Sequence, residues 1–363
     1  MIKFLKSQPV LAISFCASLI TMFAVPPDSQ YIGYINKTVL IQLFSLMTAV
    51  AGLKSIGIFE KVTGFILKKA GNVRKLGLIL VLLCYFSSML VTNDVALITF
   101  IPLTLMVFEN IGDEKSRILT IVLETAGANL GSMVTPIGNP QNLYIYDTYQ
   151  LSALTFLKTM LPVGIESLAV LVLLSFLLPE TECSGYEYED KKLPTGKAVG
   201  YFLMFGVCLL TVFRIVPDWL CLGVAVATAL VLDPVLLKKA DYPLLATFVC
   251  FFVFVGNIAR IETVREFFSG ILDGHELIIS VLLSQVISNV PASVMLSGFT
   301  ENGTQLMLGV NIGGLGTIIA SLASLISFQF YRNSSNSDSG RYMRVFSAVN
   351  FGMLALLVLI NKT

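Results

Sequence analysis

Two polar clusters stand inside otherwise apolar stretches, and their residue types could do chemistry. Thr92-Asn93-Asp94 separates residues 76–91 from 95–108, and Ser288-Asn289-Val290-Pro291 separates 276–287 from 292–299. Each cluster would open a second helical arm. Asn or Asp there can cap the free N–H groups of that arm, and Pro291 suits a first helical turn. The same amide, hydroxyl and carbonyl oxygens can coordinate an ion or substrate, while the helix N-terminus favours negative charge. Capping and binding are compatible for Asn93 and Asn289. Asp94 reads either as a cap or as a carboxylate that takes up a proton or a sodium ion. A charged carboxylate at membrane depth is costly unless it is neutralised or faces protein or water. Na⁺ near Asn93, Asp94 and Asn289 is the one metal this pattern suggests.

Two further stretches mix polar residues into apolar helices. Residues 118–134 carry Glu124, Asn129 and Ser132 and run into Thr135-Pro136-Ile137-Gly138-Asn139-Pro140-Gln141-Asn142. Two prolines, a glycine and three amides cannot continue a lipid-facing helix; such backbone survives at membrane depth only against protein or a watery cavity. The spacing predicts a broken helix over 118–150 whose second piece begins near Asn142. A second broken helix is expected over 304–330, around Gly309-Val310-Asn311-Ile312-Gly313-Gly314-Leu315-Gly316-Thr317. Its glycine spacing imitates a nucleotide loop, but inside a span small residues serve close packing. Candidate binding residues are therefore Thr92, Asn93, Asp94, Asn129, Thr135, Gly138, Asn139, Pro140, Asn142, Ser288, Asn289, Asn311, Gly313, Gly314 and Thr317. Asp94 and Glu124 are the candidate coupling carboxylates. Glu124 reads equally as a residue paired with a polar neighbour, and Glu166 is less specific. Neither hairpin nor broken-helix core holds Lys or Arg, so helix ends, amides and hydroxyls would hold an anion, aided by a bound cation.

The elements that position these residues follow from composition. The chain has 363 residues, of which 55% are hydrophobic and 13% charged, with a mean hydropathy of +0.82. That is an all-α polytopic membrane protein, not a soluble domain. A net charge of +1 offers no surface for nucleic acid. The six cysteines lie mostly in apolar runs without metal-type spacing, and the single histidine, His275, sits in an acidic loop. There is no metalloprotease helix, nucleophile elbow or phosphate loop, so no enzyme and no cofactor are expected beyond Na⁺ or H⁺ as coupling ion. The arms 76–91 and 95–108 would be about 21 to 24 Å long as helices. That falls short of a roughly 30 Å hydrocarbon core, as in a re-entrant hairpin.

Taken in order, residues 9–25 read as a retained span, with a signal peptide as the competing reading. A second span follows at 39–58, then a basic, partly amphipathic segment at 60–75 and the first hairpin over 76–108. After the first broken helix come an interfacial segment from 151 and a span from about 161 to 178. The polar stretch 180–197 separates two halves. Spans at 198–213, 219–232 and 244–258 precede a loop at 259–275, the second hairpin (276–300), the second broken helix and a last span at 345–360. With the N-terminus cytoplasmic, about nine crossings place the basic loops inside. The halves, 1–179 and 217–363, match element by element, and the connecting region 180–216, with its lone span, would invert one against the other. Inverted repeats with discontinuous midplane helices are a signature of secondary transporters. A channel or receptor is the alternative from a different class.

These residues resemble the ion transporter superfamily, which includes citrate-transporter-like proteins, arsenite-permease-like proteins and divalent anion:sodium symporters. Thr92-Asn93-Asp94 and Ser288-Asn289-Val290 sit where the symporters carry a Ser-Asn-Thr motif. Gly138-Asn139-Pro140-Gln141-Asn142 is similar to their Gly-x-Pro-Pro-Asn-type turn. The sequence departs at Asp94, at Val290-Pro291, and at Gly313–Thr317, where a proline-asparagine turn would stand. The resemblance implies a homodimer in the inner membrane, with a mobile transport domain moving as an elevator against a scaffold. It implies secondary transport of a small organic or inorganic anion with Na⁺ or H⁺, with an arsenite-type efflux permease or a Na⁺/H⁺ antiporter as alternatives.

Overall fold

The computed structural model describes residues 8–59, 61, 70–183 and 193–362. Within them every named element is a helix. The core of the amphipathic segment, residues 62–69, and residues 184–192 of the polar stretch lie outside the described residues.

The first two long helices are α1 (Pro9–Ala24) and α2 (Lys37–Ser55). Asn36 caps α2 by accepting the Val39 N–H at 3.1 Å. The hairpin arms α3 (Val73–Val91) and α4 (Asn93–Ile111) each hold 19 residues, about 28 Å of helix. They are longer than their apolar stretches because local signals set the ends. Asn72 caps α3 through the Lys75 N–H, and Gly112, left-handed at φ 74°, ends α4. Leu76 and Leu80 of α3 pack with Val107 and Phe108 of α4, so the arms run antiparallel. Next come α5 (Glu114–Ser132), α6 (Pro140–Thr148) and α7 (Ala153–Ser175). Residues from 151 do not divide into an interfacial piece and a span. After Ser152 caps the start, α7 runs unbroken through Pro162. A proline inside a span is tolerated where neighbouring groups re-satisfy the freed carbonyl.

The second half begins after α8 (Thr195–Val212), with α9 (Asp218–Leu232) and α10 (Tyr242–Ala259). The expected loop at 259–275 is mostly a helix, α11 (Glu262–Leu272). It meets α12 (Glu276–Ile287) at a 112° bend. The second hairpin is α12 with α13 (Asn289–Ser297), and its feet are tied where Thr300 Oγ1 donates to Glu276 Oε1 at 3.0 Å. Then follow α14 (Gly303–Ile312), α15 (Leu322–Arg332) and α16 (Ser339–Asn361).

Among the described residues six helices are long and apolar enough to cross a membrane, α2, α3, α7, α8, α10 and α16. Five of these stand where single crossings were expected, and α3 is a hairpin arm. Both α1 and α9 are apolar but shorter. Packing divides the bundle. On one side α2 lies against α8 and α9, and α10 lies against α1. Asn257 on α10 donates to Thr21 Oγ1 on α1 at 3.1 Å. On the other side α5 packs on α3, α4, α7 and α16, while α12 packs on α13 and α14. The two broken helices and both hairpin tips meet in the second group.

Candidate functional site

Each hairpin turns on one residue. Thr92 has φ 75° and ψ 150°, and Ser288 has φ 75° and ψ 153°. A side chain in that region of backbone space costs about 1–3 kcal/mol and persists only where the surroundings impose it. The surroundings are the breaks. The Asn93 N–H donates to the Gly138 carbonyl at 3.2 Å, and the Asn289 N–H donates to the Ala320 carbonyl at 2.9 Å. So the N-termini of α4 and α6 are joined, and likewise those of α13 and α15. The opening N–H groups of the arms are thus met by break carbonyls. Neither Thr92 nor Ser288 makes a side-chain cap, because the positive-φ turn aims those side chains elsewhere. Asn93 Oδ1 accepts only the neighbouring Asp94 N–H, at 3.0 Å.

The same correspondence runs through both breaks. Thr135 Oγ1 donates to the Met89 carbonyl at 2.5 Å, and Thr317 Oγ1 donates to the Gln285 carbonyl at 3.0 Å. The Gly138 N–H returns to Thr135 O just as the Ala320 N–H returns to Thr317 O. Gly131 and Gly313 are needed for close approach. A Cβ on Gly131 would lie 2.0 Å from the Tyr85 carbonyl, and one on Gly313 would lie 2.8 Å from the Gly309 carbonyl and 2.9 Å from Ser284. Gly138 is equally confined, 2.1 Å from Ser132 O, and a Cβ on Gly314 would lie 2.9 Å from the Asn289 amide nitrogen. With Thr135 matching Thr317, the turn at Gly138–Asn142 corresponds to residues 320–324, and not to the glycines at 313–317.

The breaks then bond across to each other. Asn139 Nδ2 donates to Asn311 Oδ1 at 3.0 Å, and Ser321 Oγ donates to Asn129 Oδ1 at 2.9 Å. Asn311 Nδ2 donates to Asn142 Oδ1 at 2.6 Å, and Asn129 Nδ2 reaches Ser324 Oγ at 3.5 Å. Asn93 Nδ2 joins by donating to Asn129 Oδ1 at 3.1 Å. Reciprocal contacts of this kind are what a two-fold relation produces. All of these side chains are buried. Pro140 opens α6, whose cap is Asn139 Oδ1 accepting from the Asn142 N–H at 2.9 Å.

Asp94 differs from the rest. Its Oδ1 is buried and has no hydrogen-bond partner. It lines a cavity of about 810 Å³ between α2 and the first tip, together with Thr92, Asn139, Lys54, Lys239 and Asp241. Glu124 is elsewhere. It is fully buried in α5, where its Oε1 accepts from Thr104 Oγ1 at 2.7 Å and faces Cys84 Sγ at 3.7 Å, while its Oε2, like Asp94 Oδ1, has no hydrogen-bond partner. It is absent from the cavity lining. Glu166 accepts from Asn361 Nδ2 at 3.0 Å. Sequence reasoning overlooked Ser321, Ser324 and Gln285. A register anchored on the two threonines, Thr135 and Thr317, exposes Ser321 and Ser324, and one anchored on the tips, Thr92 and Ser288, sets Gln285 opposite Met89.

Antiparallel hairpins, paired broken helices and buried helix termini facing a cavity define a helical membrane transporter. The model of the citrate transporter family matches residues 2–303, and the chain belongs to that family. An uncharacterised transporter of Methanocaldococcus jannaschii, MJ0456, is 34% identical over 89% of this chain and 88% of its own length. The Escherichia coli inner membrane protein YbiR is 29% identical over 80% of this chain and 78% of its own. The crystal structure of the YdaH transporter from Alcanivorax borkumensis shares the fold. Its TM-score is 0.63 over 92% of this chain and 87% of that one, at 12% identity.

Proposed function

We propose that the chain is a secondary active transporter of a small anion, coupled to H⁺ or Na⁺ at Asp94. The observation that carries this is the unpartnered, buried Asp94 Oδ1 at the wall of the cavity, beside the N-termini of α4 and α6. The dipoles at the N-termini of α4 and α6 favour negative charge, and Lys239 adds positive charge at the lining. A carboxylate at that depth is stable when it binds a proton or a sodium ion, so loading and unloading Asp94 couples the ion to the anion. Asn139, which lines the cavity, supplies a polar contact in this reading, whereas Asn93 and Asn289 stand behind the tips and do not line it. The two reciprocal halves would be inverted repeats spanning 1–179 and 217–363. The bundle of α1, α2 and α8–α10 would be the scaffold against which the tips move as an elevator, in a homodimer.

A cation substrate is the second reading, because Asp241 lines the same cavity as Asp94. That reading describes a Na⁺/H⁺ exchanger. Purified protein in proteoliposomes separates the two. Counterflow of a carboxylate or oxyanion, driven by a pH or Na⁺ gradient, supports the first. Na⁺-dependent proton flux without any anion would replace it. Orientation is tested in a cysteine-free background. Single cysteines at Lys239 and Gly270, on either side of α10, should label from the cytoplasmic and outer faces respectively.

A further inference from the structure

The cavity at the first tip has a counterpart at the second. A cleft of about 390 Å³ is lined by Ser288, Pro291, Ile319, Leu322 and Leu325. These stand, in the register set by the tips and breaks, where Thr92, Val95, Ile137, Pro140 and Leu143 line the first cavity. The geometry is repeated but the chemistry is not. Val290 occupies the place of Asp94, and Leu322 that of Pro140. Among the described residues no charged side chain lines the second cleft, whose facing wall is built from residues of α1 and α10 such as Ile13 and Phe254.

The backbone behind this cleft is also closed to ligands. Gln285 Nε2 donates to the Gly313 and Leu315 carbonyls at 2.9 and 3.0 Å, and its Oε1 accepts the Thr317 N–H at 2.8 Å. The second break therefore has its polar groups met from within the protein. What the cleft offers is apolar surface, and that surface continues outward. Val10, Ile13, Val286, Ile319 and Leu322 are 37, 69, 69, 46 and 43% exposed. In a membrane-embedded chain, exposed apolar side chains of this kind face lipid. The medium at the mouth of the cleft is hydrocarbon, and a cleft without charge admits hydrocarbon more readily than water or ions.

We propose that the second cleft binds an acyl chain of a bilayer phospholipid, wedged between α1 and the second hairpin. The two-fold arrangement then has one hydrated cleft for solute and one lipid-filled cleft. This inference rests on the membrane embedding alone and is independent of coupling at Asp94.

The test uses the full chain in nanodiscs of phosphatidylethanolamine and phosphatidylglycerol, doped with phosphatidylcholine bearing a diazirine on its acyl chain. After illumination, adducts are mapped by mass spectrometry. The expected result is labelling of Phe254 and Met295 several-fold above Leu173 and Leu203, which are 66 and 67% exposed on lipid-facing helices. Met295→Trp, which fills the cleft, should abolish the Phe254 adduct and leave those at Leu173 and Leu203. Ile13→Trp fills it from the other wall and should do the same. Labelling of the cleft no stronger than that of Leu173 and Leu203 would overturn the proposal, as would a Phe254 adduct that survives both substitutions. The wild-type yields decide the matter even if neither variant folds.

Discussion

Asn129 and Asn311 occupy the same place in the two halves of the molecule. Each lies in the last turn of the first piece of a broken helix, and each accepts a hydrogen bond from the N-cap residue of the opposite half's second piece. Ser321 Oγ donates to Asn129 at 2.9 Å, and Asn139 Nδ2 donates to Asn311 at 3.0 Å. This exchange holds the two breaks face to face inside an apolar surround, where an unpaired polar group is costly. The pair lies where the two breaks meet, behind the lining of the first cavity.

Asn311→Ala should therefore destabilise the protein by about 1–3 kcal/mol for each buried group it strands, with Asn142 Oδ1 the first. A double-mutant cycle between Asn139 and Asn311, followed by thermal unfolding, should show a coupling of about 0.5–3 kcal/mol. Strictly additive losses would mean that the bond contributes nothing.

Gln285→Met places at the second hairpin the residue that the first has at Met89. In the first half Asn142 Nδ2 serves the break, donating to the Met133 and Thr135 carbonyls at 3.1 and 3.0 Å. Gln285→Met should thus lower stability by about 1–3 kcal/mol, and adding Ser324→Asn should recover part of the loss. A second substitution that only adds damage would refute the register drawn between the breaks.

Gly131→Ala has no room, since its Cβ would stand 2.0 Å from the backbone oxygen of Tyr85. It should give no folded protein by size-exclusion chromatography. Gly223→Ala, on α9 with nothing within 4 Å, should fold and gain up to about 1 kcal/mol from helix propensity.

Outside the membrane, Arg260 Nη2 bonds Asp28 Oδ2 at 2.8 Å. The hydrogen bond from Arg260 holds the Asp28 carboxyl below its ordinary value of 3.8. A carboxylate lowered in the folded state adds stability that is fully present above its unfolded value and is lost as pH falls through the lowered one. The thermal midpoint should therefore drop on acidification below about pH 4, by a small amount because both groups are exposed. Arg260→Gln should remove that part of the acid dependence. An unchanged acid limb would show that the pair is energetically silent.

The helical class, the two hairpins and the first break were legible because their signals are local. An Asn-Asp interruption or a Gly-Asn-Pro-Gln-Asn turn stands out against an apolar background. Helix ends were less legible, since Asn72 and Gly112 extend the arms past the stretch that hydropathy detects. The second break does fall at Gly313–Thr317, between the end of α14 and the start of α15 at Leu322, but the residues that match Gly138–Asn142 stand several positions later. Gly313 and Gly314 look like a turn, yet they serve close packing, and the turn itself is written in Ala320, Ser321 and Ser324, small residues with no distinctive pattern. Glu124 stands behind Asp94 as a second coupling candidate in the sequence, which does not say which buried carboxylate faces the cavity. The fold seats Glu124 among Thr104, Cys84 and the apolar side chains of α4 and α5, and leaves Asp94 at the cavity wall.

Asp94→Asn in proteoliposomes tests the central claim most directly, because it keeps size and hydrogen-bonding shape while removing the charge. Anion counterflow should persist at a comparable folded yield, and its dependence on the pH or Na⁺ gradient should disappear. Transport by Asp94→Asn with ion dependence unchanged from the wild type would contradict coupling at the first tip.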